Sequence, residues 1–341
     1  LSATIKDVAE AAGVSITTVS HVLNGKGRTG EKTRAAVLAA VERVGYRADP
    51  VARSLRTGKT GVLGIVFRPS DAIRGSMSGT EYHIRLAGAA AAAALSRGLG
   101  LLHIPELKEG ALSALPMDGC IVVAPHRSDP VAALLRQREV PFVFADPEPD
   151  DPTFEWSVRR DDYNGVRSLL DHLRGNGAGS ISFFCGRDEN SWLVEARRAC
   201  SDWATETGIR VRTVLVDEVG GAEAARHAAR TELTSPQRPD AIIAATSRFA
   251  AGVALTAEDL AIPIPGELML STLSDSEIAR SHPVPVTALD LHGAAMGREA
   301  VALLVRRLEG ERLDVPVVIE PTLRERASTA RPNSGHALDL E

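Results

Sequence analysis

Over residues 1–48, apolar positions recur at helical spacing and are punctuated by glycine. Thr4 and Asp7 supply an N-cap with an acid in the first turn, and Ile5, Val8, Ala9 and Ala12 then follow one helical face. Gly13 stops this helix where a tight turn needs positive φ. Ser15 caps a second helix from Ile16 to Leu23, with Val19, Val22 and Leu23 turned inward, and Asn24-Gly25 ends it. A third, longer helix is predicted from about Glu31 to Val44, with Val37, Leu38 and Val41 on one face and Gly45 as its stop. Two short helices joined by a glycine turn and braced by a third make a helix-turn-helix unit. A small helical packing domain would share that pattern. In the DNA-binding geometry the second helix enters the major groove. Its outward Ile16, Thr17, Ser20 and His21 carry groups that reach base edges, phosphates or a thymine methyl.

Residues 49–56 (DPVARSLR) place Pro50 after an Asp cap, as at the first position of a helix too short to stand alone. Residues 57–60 (TGKT) follow as a basic linker. A conditionally folded basic helix with an apolar Leu55 suits a minor-groove wedge, while ordinary helix packing is the plainer role for that leucine. From Gly61 the pattern changes. Short β-branched runs at 61–67, 119–124, 141–145, 180–185 and 241–245 alternate with helical stretches. That alternation predicts parallel sheets covered by helices, about five strands in each of two lobes. Lobe 1 is expected over about 61–159 and 290–318, and lobe 2 over about 160–289 and 319–329. The Ala-rich helix from about Tyr82 to Leu95 is a candidate dimer contact or a sheet-packing helix. Residues 330–341 read as a tail.

The 341 residues exceed one small core, and 44% hydrophobic against 24% charged content excludes wholesale disorder. No apolar run is long enough for a membrane helix and no secretory segment opens the chain, so a cytoplasmic protein is expected. Charge adds an asymmetry. Residues 1–60 hold ten Lys/Arg against five Asp/Glu, leaving 29 against 39 for the remainder. A basic head on an acidic body points to a polyanion partner for the head alone. Cys120, Cys185 and Cys200 form neither a disulfide framework nor a zinc spacing, and no metal or cofactor is expected.

The run from Ala3 to Asn24 (ATIKDVAEAAGVSITTVSHVLN), with EKTR at 31–34 and DPVARSL at 49–55, resembles the LacI/GalR family of bacterial transcription regulators. The resemblance implies a homodimer on double-stranded, palindromic operator DNA and a small-molecule effector. It implies an α/β fold: a three-helix head and hinge helix joined to a two-lobed, periplasmic-binding-protein-like sensor. By position, Ile16, Thr17 and His21 would face bases, and Leu55 and Arg56 would occupy the minor groove. Thr4, Thr18, Ser20 and Asn24 would hold phosphates. Head, hinge and sensor would span 1–48, 49–60 and 61–329.

In the sensor the resemblance is carried by Asp161-Asp162 with Gly165, by Arg238-Pro239-Asp240 and by the closing IEPTLRERAST. Several effector anchors depart from the family pattern. The usual arginine falls on Ala196, beside Arg197 and Arg198. An Asn-Asp pair becomes Thr246-Ser247, and a Phe-Asp pair becomes Leu273-Ser274. Asp146 stands where relatives place a ligand-binding acid, although a loop acid beside Pro147 would look the same. Ser70 and Asp71 leave a lobe 1 strand at its ligand-facing end, and Trp192 could stack on a flat ligand. Arg197, Thr246, Ser247 and Ser274 complete the candidate set. Its small side chains suggest a less polar ligand, or none. No GxSxG, HExxH, P-loop or strand-following GxGxxG occurs, so no enzyme is expected. A ligand-binding module or enzyme with a vestigial head is the alternative.

Overall fold

The computed structural model describes residues 3–23, 29–46, 58–67, 81–104, 115–187 and 189–330. The hinge-helix residues 49–57 with Leu55 and Arg56, and also Asn24, Ser70, Asp71 and the segment 331–341, lie outside the described residues. The chain divides into two compact units, Leu1–Gly61 and Val62–Glu341.

The first unit holds helices α1 (Ile5–Ala12), α2 (Ile16–Leu23) and α3 (Glu31–Val44). The Asp7 carboxylate accepts from Thr4 N–H at 2.7 Å and from the Thr4 hydroxyl at 2.9 Å, fixing the first turn of α1. Gly13, at φ 66, reverses the chain between α1 and α2, a backbone state that a Cβ would strain. Val8, Ala9, Val19, Val22, Val37 and Ala40 form the core. Leu38, expected inside, is 46% exposed. The buried stripe of α3 runs through 37, 40, 41 and 44, and residue 38 is turned about 100° from 37.

The second unit contains two six-stranded sheets, one strand more in each than the alternation suggests. Strands β1 (Val62–Val66), β2 (Gly100–Ile104), β3 (Gly119–Val123), β4 (Phe142–Ala145), β5 (Ser157–Arg160) and β11 (Val317–Ile319) build lobe 1 in the order β11-β5-β4-β3-β1-β2. Lobe 2 has the order β12-β10-β9-β8-β6-β7. Its strands are β6 (Ser180–Cys185), β7 (Arg210–Leu215), β8 (Ala241–Ala244), β9 (Met269–Thr272), β10 (Thr287–Asp290) and β12 (Thr322–Arg324). All pairings are parallel except β10 with β12. The central strands are apolar throughout because both faces are covered. In β3, Ile121 and Val123 enter one core cluster while Cys120 and Val122 enter the opposite one.

Helices α4 (Glu81–Leu95) and α11 (Gly293–Leu308) pack together over lobe 1, and α5 (Pro130–Gln137) lies beyond β3 in the chain. In lobe 2, α6 (Asp162–Gly175) packs on α7 (Ser191–Thr207), and α8 (Gly221–Leu233) on α9 (Ser247–Asp259), with a short α10 (Glu277–Ser281). The chain crosses between the sheets three times: after β5, between β10 and α11, and between β11 and β12. The crossings are tied together. Asp161 N–H donates to Ile319 O at 3.1 Å, and a His292 ring nitrogen lies 2.8 Å from the Thr322 hydroxyl. These crossings bring the strand ends of both lobes to one cleft.

Candidate nucleic-acid interface and interlobe cleft

In the head, α2 buries Val19 and Val22 and exposes Ile16, Thr17 and His21, with Ile16 44% exposed. Ser20 and Thr18 are half-buried. The exposed residues offer a methyl-bearing side chain, a hydroxyl and an imidazole on one side of α2. Of the expected phosphate holders, Thr4 and Thr18 engage their hydroxyls locally. Thr4 bonds Asp7, and Thr18 lies 2.9 Å from the Ser15 hydroxyl, which also accepts from Thr18 N–H at 3.1 Å. Thr4 is the N-cap of α1, and Ser15 accepts at the N-terminus of α2, where Thr18 lies in the first turn.

The sensor cleft encloses a cavity of about 120 Å³. Lobe 1 contributes Glu81, Tyr82 and His83 from the start of α4, and Asp146 and Arg160 from the ends of β4 and β5. Lobe 2 contributes Trp192 at the start of α7, Thr246, Ser247 and Arg248 around the start of α9, and Ser274 and Ser276 after β9. Each wall thus comes from strand C-termini and helix N-termini, as the parallel topology requires. Among the described residues, two ion pairs span the lobes. Glu81 carboxylate oxygens accept from Arg280 at 2.7 Å and from Glu277 N–H at 2.5 Å, and Arg127 lies 3.8 Å from Glu189. Burial works to raise the Glu81 carboxyl, but these donors and the charges of Arg280 and Arg85 outweigh it and leave it lowered.

The floor of lobe 1 is a buried charge cluster. The Arg160 guanidinium lies 3.0 Å from Asp146 and 3.0 Å from Asp162, and it also donates to the Tyr82 hydroxyl. Asp146 sits at φ 80, a left-handed state that Asp tolerates better than most residues, with its N–H held by Val158 O at 2.9 Å. Burial, offset by Arg160 and reinforced by Asp162, pushes the Asp146 carboxyl up to about 6. The His83 ring stands edge-on to Phe67 and Tyr82, and burial followed by the Arg160 charge pushes it down to about 4. His83 is therefore neutral at pH 7.

Of the residues singled out in the sequence, Asp146, Trp192, Thr246, Ser247 and Ser274 meet in this cavity. Thr246 caps α9 by accepting from Phe249 N–H, and the Ser247 hydroxyl donates to Ser274 O at 2.6 Å. Arg197 is not among the lining residues: its guanidinium donates to Gly186 O at 3.2 Å. Ala196 faces the lobe 2 core beside Leu193 and Cys200, because positions 193, 196, 200 and 203 are the buried stripe of α7. An arginine at 196 would therefore point into packed side chains. Arg160, Arg248, His83, Glu81, Glu218 and Ser276 all line the cavity and carry no motif that marks them in the sequence.

Residues 4–49 match the family model described as bacterial regulatory proteins, lacI family, and residues 170–329 match a periplasmic binding protein-like domain. The HTH-type transcriptional repressor PurR of Pectobacterium carotovorum subsp. carotovorum (strain PC1) is 28% identical over 96% of this chain and 97% of its own. PurR of Photobacterium profundum is 27% identical over 90% of this chain and 92% of its own. Among solved structures, the lac repressor dimer bound to operator and the anti-inducer ONPF superposes with a TM-score of 0.83. It is 21% identical and covers 97% of this chain and 100% of its own. The CelR–cellobiose complex superposes at 0.69 with 23% identity, over 96% of this chain and 99% of its own. At these identities the two structures show a shared fold.

Proposed function

We propose that this chain, whose residues 4–49 match the lacI family of bacterial regulatory proteins, is a sequence-specific DNA-binding transcriptional repressor. It binds a palindromic operator as a homodimer and responds to a small molecule held between its lobes. The observation that carries this reading is the exposed row Ile16, Thr17 and His21 on α2, set over a buried Val19 and Val22. The repressor names of the relatives, and the operator and small ligands bound by the lac repressor and CelR, support it. Leu55 and Arg56 of the hinge segment take the minor groove. The effector shifts operator affinity only by its differential affinity for the two lobe arrangements. Among the described residues no helix is long and apolar enough to cross a membrane.

The test is a gel-shift titration on an operator selected from random duplexes, with base scanning. His21→Ala is expected to relax preference at one symmetric pair of positions, by about tenfold for a lost base contact. Leu55→Ala is expected to weaken operator binding by at least about tenfold while sparing random DNA. Equal loss on both duplexes would refute the wedge, and unchanged base preference in His21→Ala would refute the register.

The homodimer contact is assigned to the outer face of α4. Ile84 (47% exposed), Gly88, Ala91, Ala92 and Leu95 (76% exposed) form one outward row, while Leu86, Ala90, Ala93 and Ala94 are buried on the opposite side. Ala91→Glu with Leu95→Glu should give a monomer in light-scattering chromatography. An unchanged dimer would place the contact elsewhere.

A further inference from the structure

Six buried side-chain polar atoms lack a hydrogen-bond partner among the described residues, and four belong to residues of the cleft wall. They are Nδ1 of His83, Oδ1 of Asp146, Nε of Arg248 and Oγ of Ser276. Asp146 and Ser276 are each 3% exposed. Proteins satisfy nearly all buried polar atoms, so their concentration around one cavity describes a binding pattern.

The two lobes present different chemistry. On lobe 1, the Asp146 carboxylate is an acceptor whose Oδ1 makes no aligned hydrogen bond, although it lies 3.0 Å from the Arg160 guanidinium. On lobe 2, Arg248 Nε–H can only donate, and the Ser276 hydroxyl is able to donate as well. Arg248 occupies the first turn of the 13-residue helix α9, where backbone N–H groups and the helix dipole favour negative charge. Its guanidinium donates to Glu218 O at 3.4 Å, and among the described residues no carboxylate is within ion-pair distance of it. Arg160, by contrast, is held by two carboxylates. Glu81 is paired with Arg280 and Arg85, and the Glu218 carboxyl is packed onto the bare Cα of Gly186.

We propose that Arg248, Ser276 and the first turn of α9 bind the carboxylate or phosphate of a small organic anion whose hydroxyl or amino group faces Asp146 across the cleft. This rests on the effector reading above and names the chemical class of that effector. Lobe closure around a neutral sugar would strip water from the Arg248 guanidinium without supplying a countercharge. An anion supplies it, and so favours the closed arrangement.

The experiment is a tryptophan-fluorescence titration of the full chain with sodium phosphate, sodium acetate or D-glucose, at ionic strength held constant with sodium chloride. Trp192 lines the cavity, so Trp192→Phe identifies the signal that comes from the cleft. We expect a saturable response to at least one anion and none to D-glucose. A tighter phosphate response marks a phosphate ester, and a tighter acetate response a carboxylate. Arg248→Gln should weaken anion binding at least about tenfold and Arg248→Lys less, with circular dichroism reporting that both are folded. Binding of D-glucose alone, or no saturable anion response, overturns the proposal. A response unchanged in Arg248→Gln means an adventitious ion only, and also overturns it. Operator binding by the wild-type chain is measured separately, so failure of the repressor reading shows there.

Discussion

Gly297→Val is expected to unfold the sensor at temperatures where the wild-type chain is intact. Gly297 lies where α11 crosses α4, and a Cβ there would sit 2.2 Å from Leu86 O and 3.0 Å from Ala90 N. Both obstacles are backbone, so no side chain can rotate away. The helices would have to separate and open the core formed by Leu86, Ala90, Ala94, Met296 and Val301. Overpacking of a dense core costs roughly 1–3 kcal/mol where side chains yield, and a backbone clash lies at or beyond the upper end. A fall in Tm of about 8 °C or more is expected by differential scanning calorimetry. The head core of Val8, Val19 and Val37 is separate and should retain its helical signal. A Tm within about 1 °C of wild type would show that the crossing tolerates a wider spacing.

The second large effect concerns Arg160. Arg160→Met removes the guanidinium shared by Asp146 and Asp162, which are 3% and 6% exposed. Breaking a buried pair costs about 3–5 kcal/mol, because the partner charge stays in a low-dielectric site. Here two carboxylates are stranded together. Arg160→Met with Asp146→Asn should therefore be more stable than Arg160→Met alone, a positive coupling readable in a double-mutant cycle. Strict additivity would mean that the cluster is not an energetic unit.

The same cluster makes a pH prediction. Asp146 has its carboxyl raised from 3.8 to about 6, so folding favours its protonated form. Its contribution to stability is complete below about 3.8 and is lost as pH rises through about 6. Asp146→Asn mimics the protonated state. The variant should melt about 2–5 °C above wild type at pH 8, and the gap should close toward pH 4.5. His83, pushed down to about 4, works in the opposite sense: its contribution is lost as pH falls from about 6.5 through 4. It is present in both chains, so the difference between them reports Asp146. A gap independent of pH would show that Asp146 is ionised throughout.

Much of the head was legible in the sequence because its determinants are local. Thr4, Asp7, Gly13 and Ser15 mark the ends of α1 and α2, and the buried stripe repeats at helical spacing within 45 residues. Leu38 escaped because neighbouring apolar residues on a helix differ by a 100° rotation, and only contact with α1 and α2 fixes which one is inside. In the sensor, apolar runs marked β1, β3, β4, β6 and β8, which are central and covered on both faces. Strands β5 (SVRR) and β7 (RVRTVL) were hidden by their arginines, since β7 is a sheet edge and β5 ends in the charged cluster.

The sequence by itself determined a three-helix head with a helix-turn-helix pattern and a two-lobed α/β body. Those statements depend on capping, periodicity and strand alternation, which act over a few residues. Only the tertiary structure decided the cleft. Glu81, Asp146, Arg160, Trp192, Arg248 and Ser276 are spread over 196 positions and meet because three chain crossings fold the strand ends of both sheets onto one cavity. Which arginine is neutralised and which faces the cavity without a carboxylate follows from that convergence. Charge pairing depends on distance in space, and separation along the chain does not encode it.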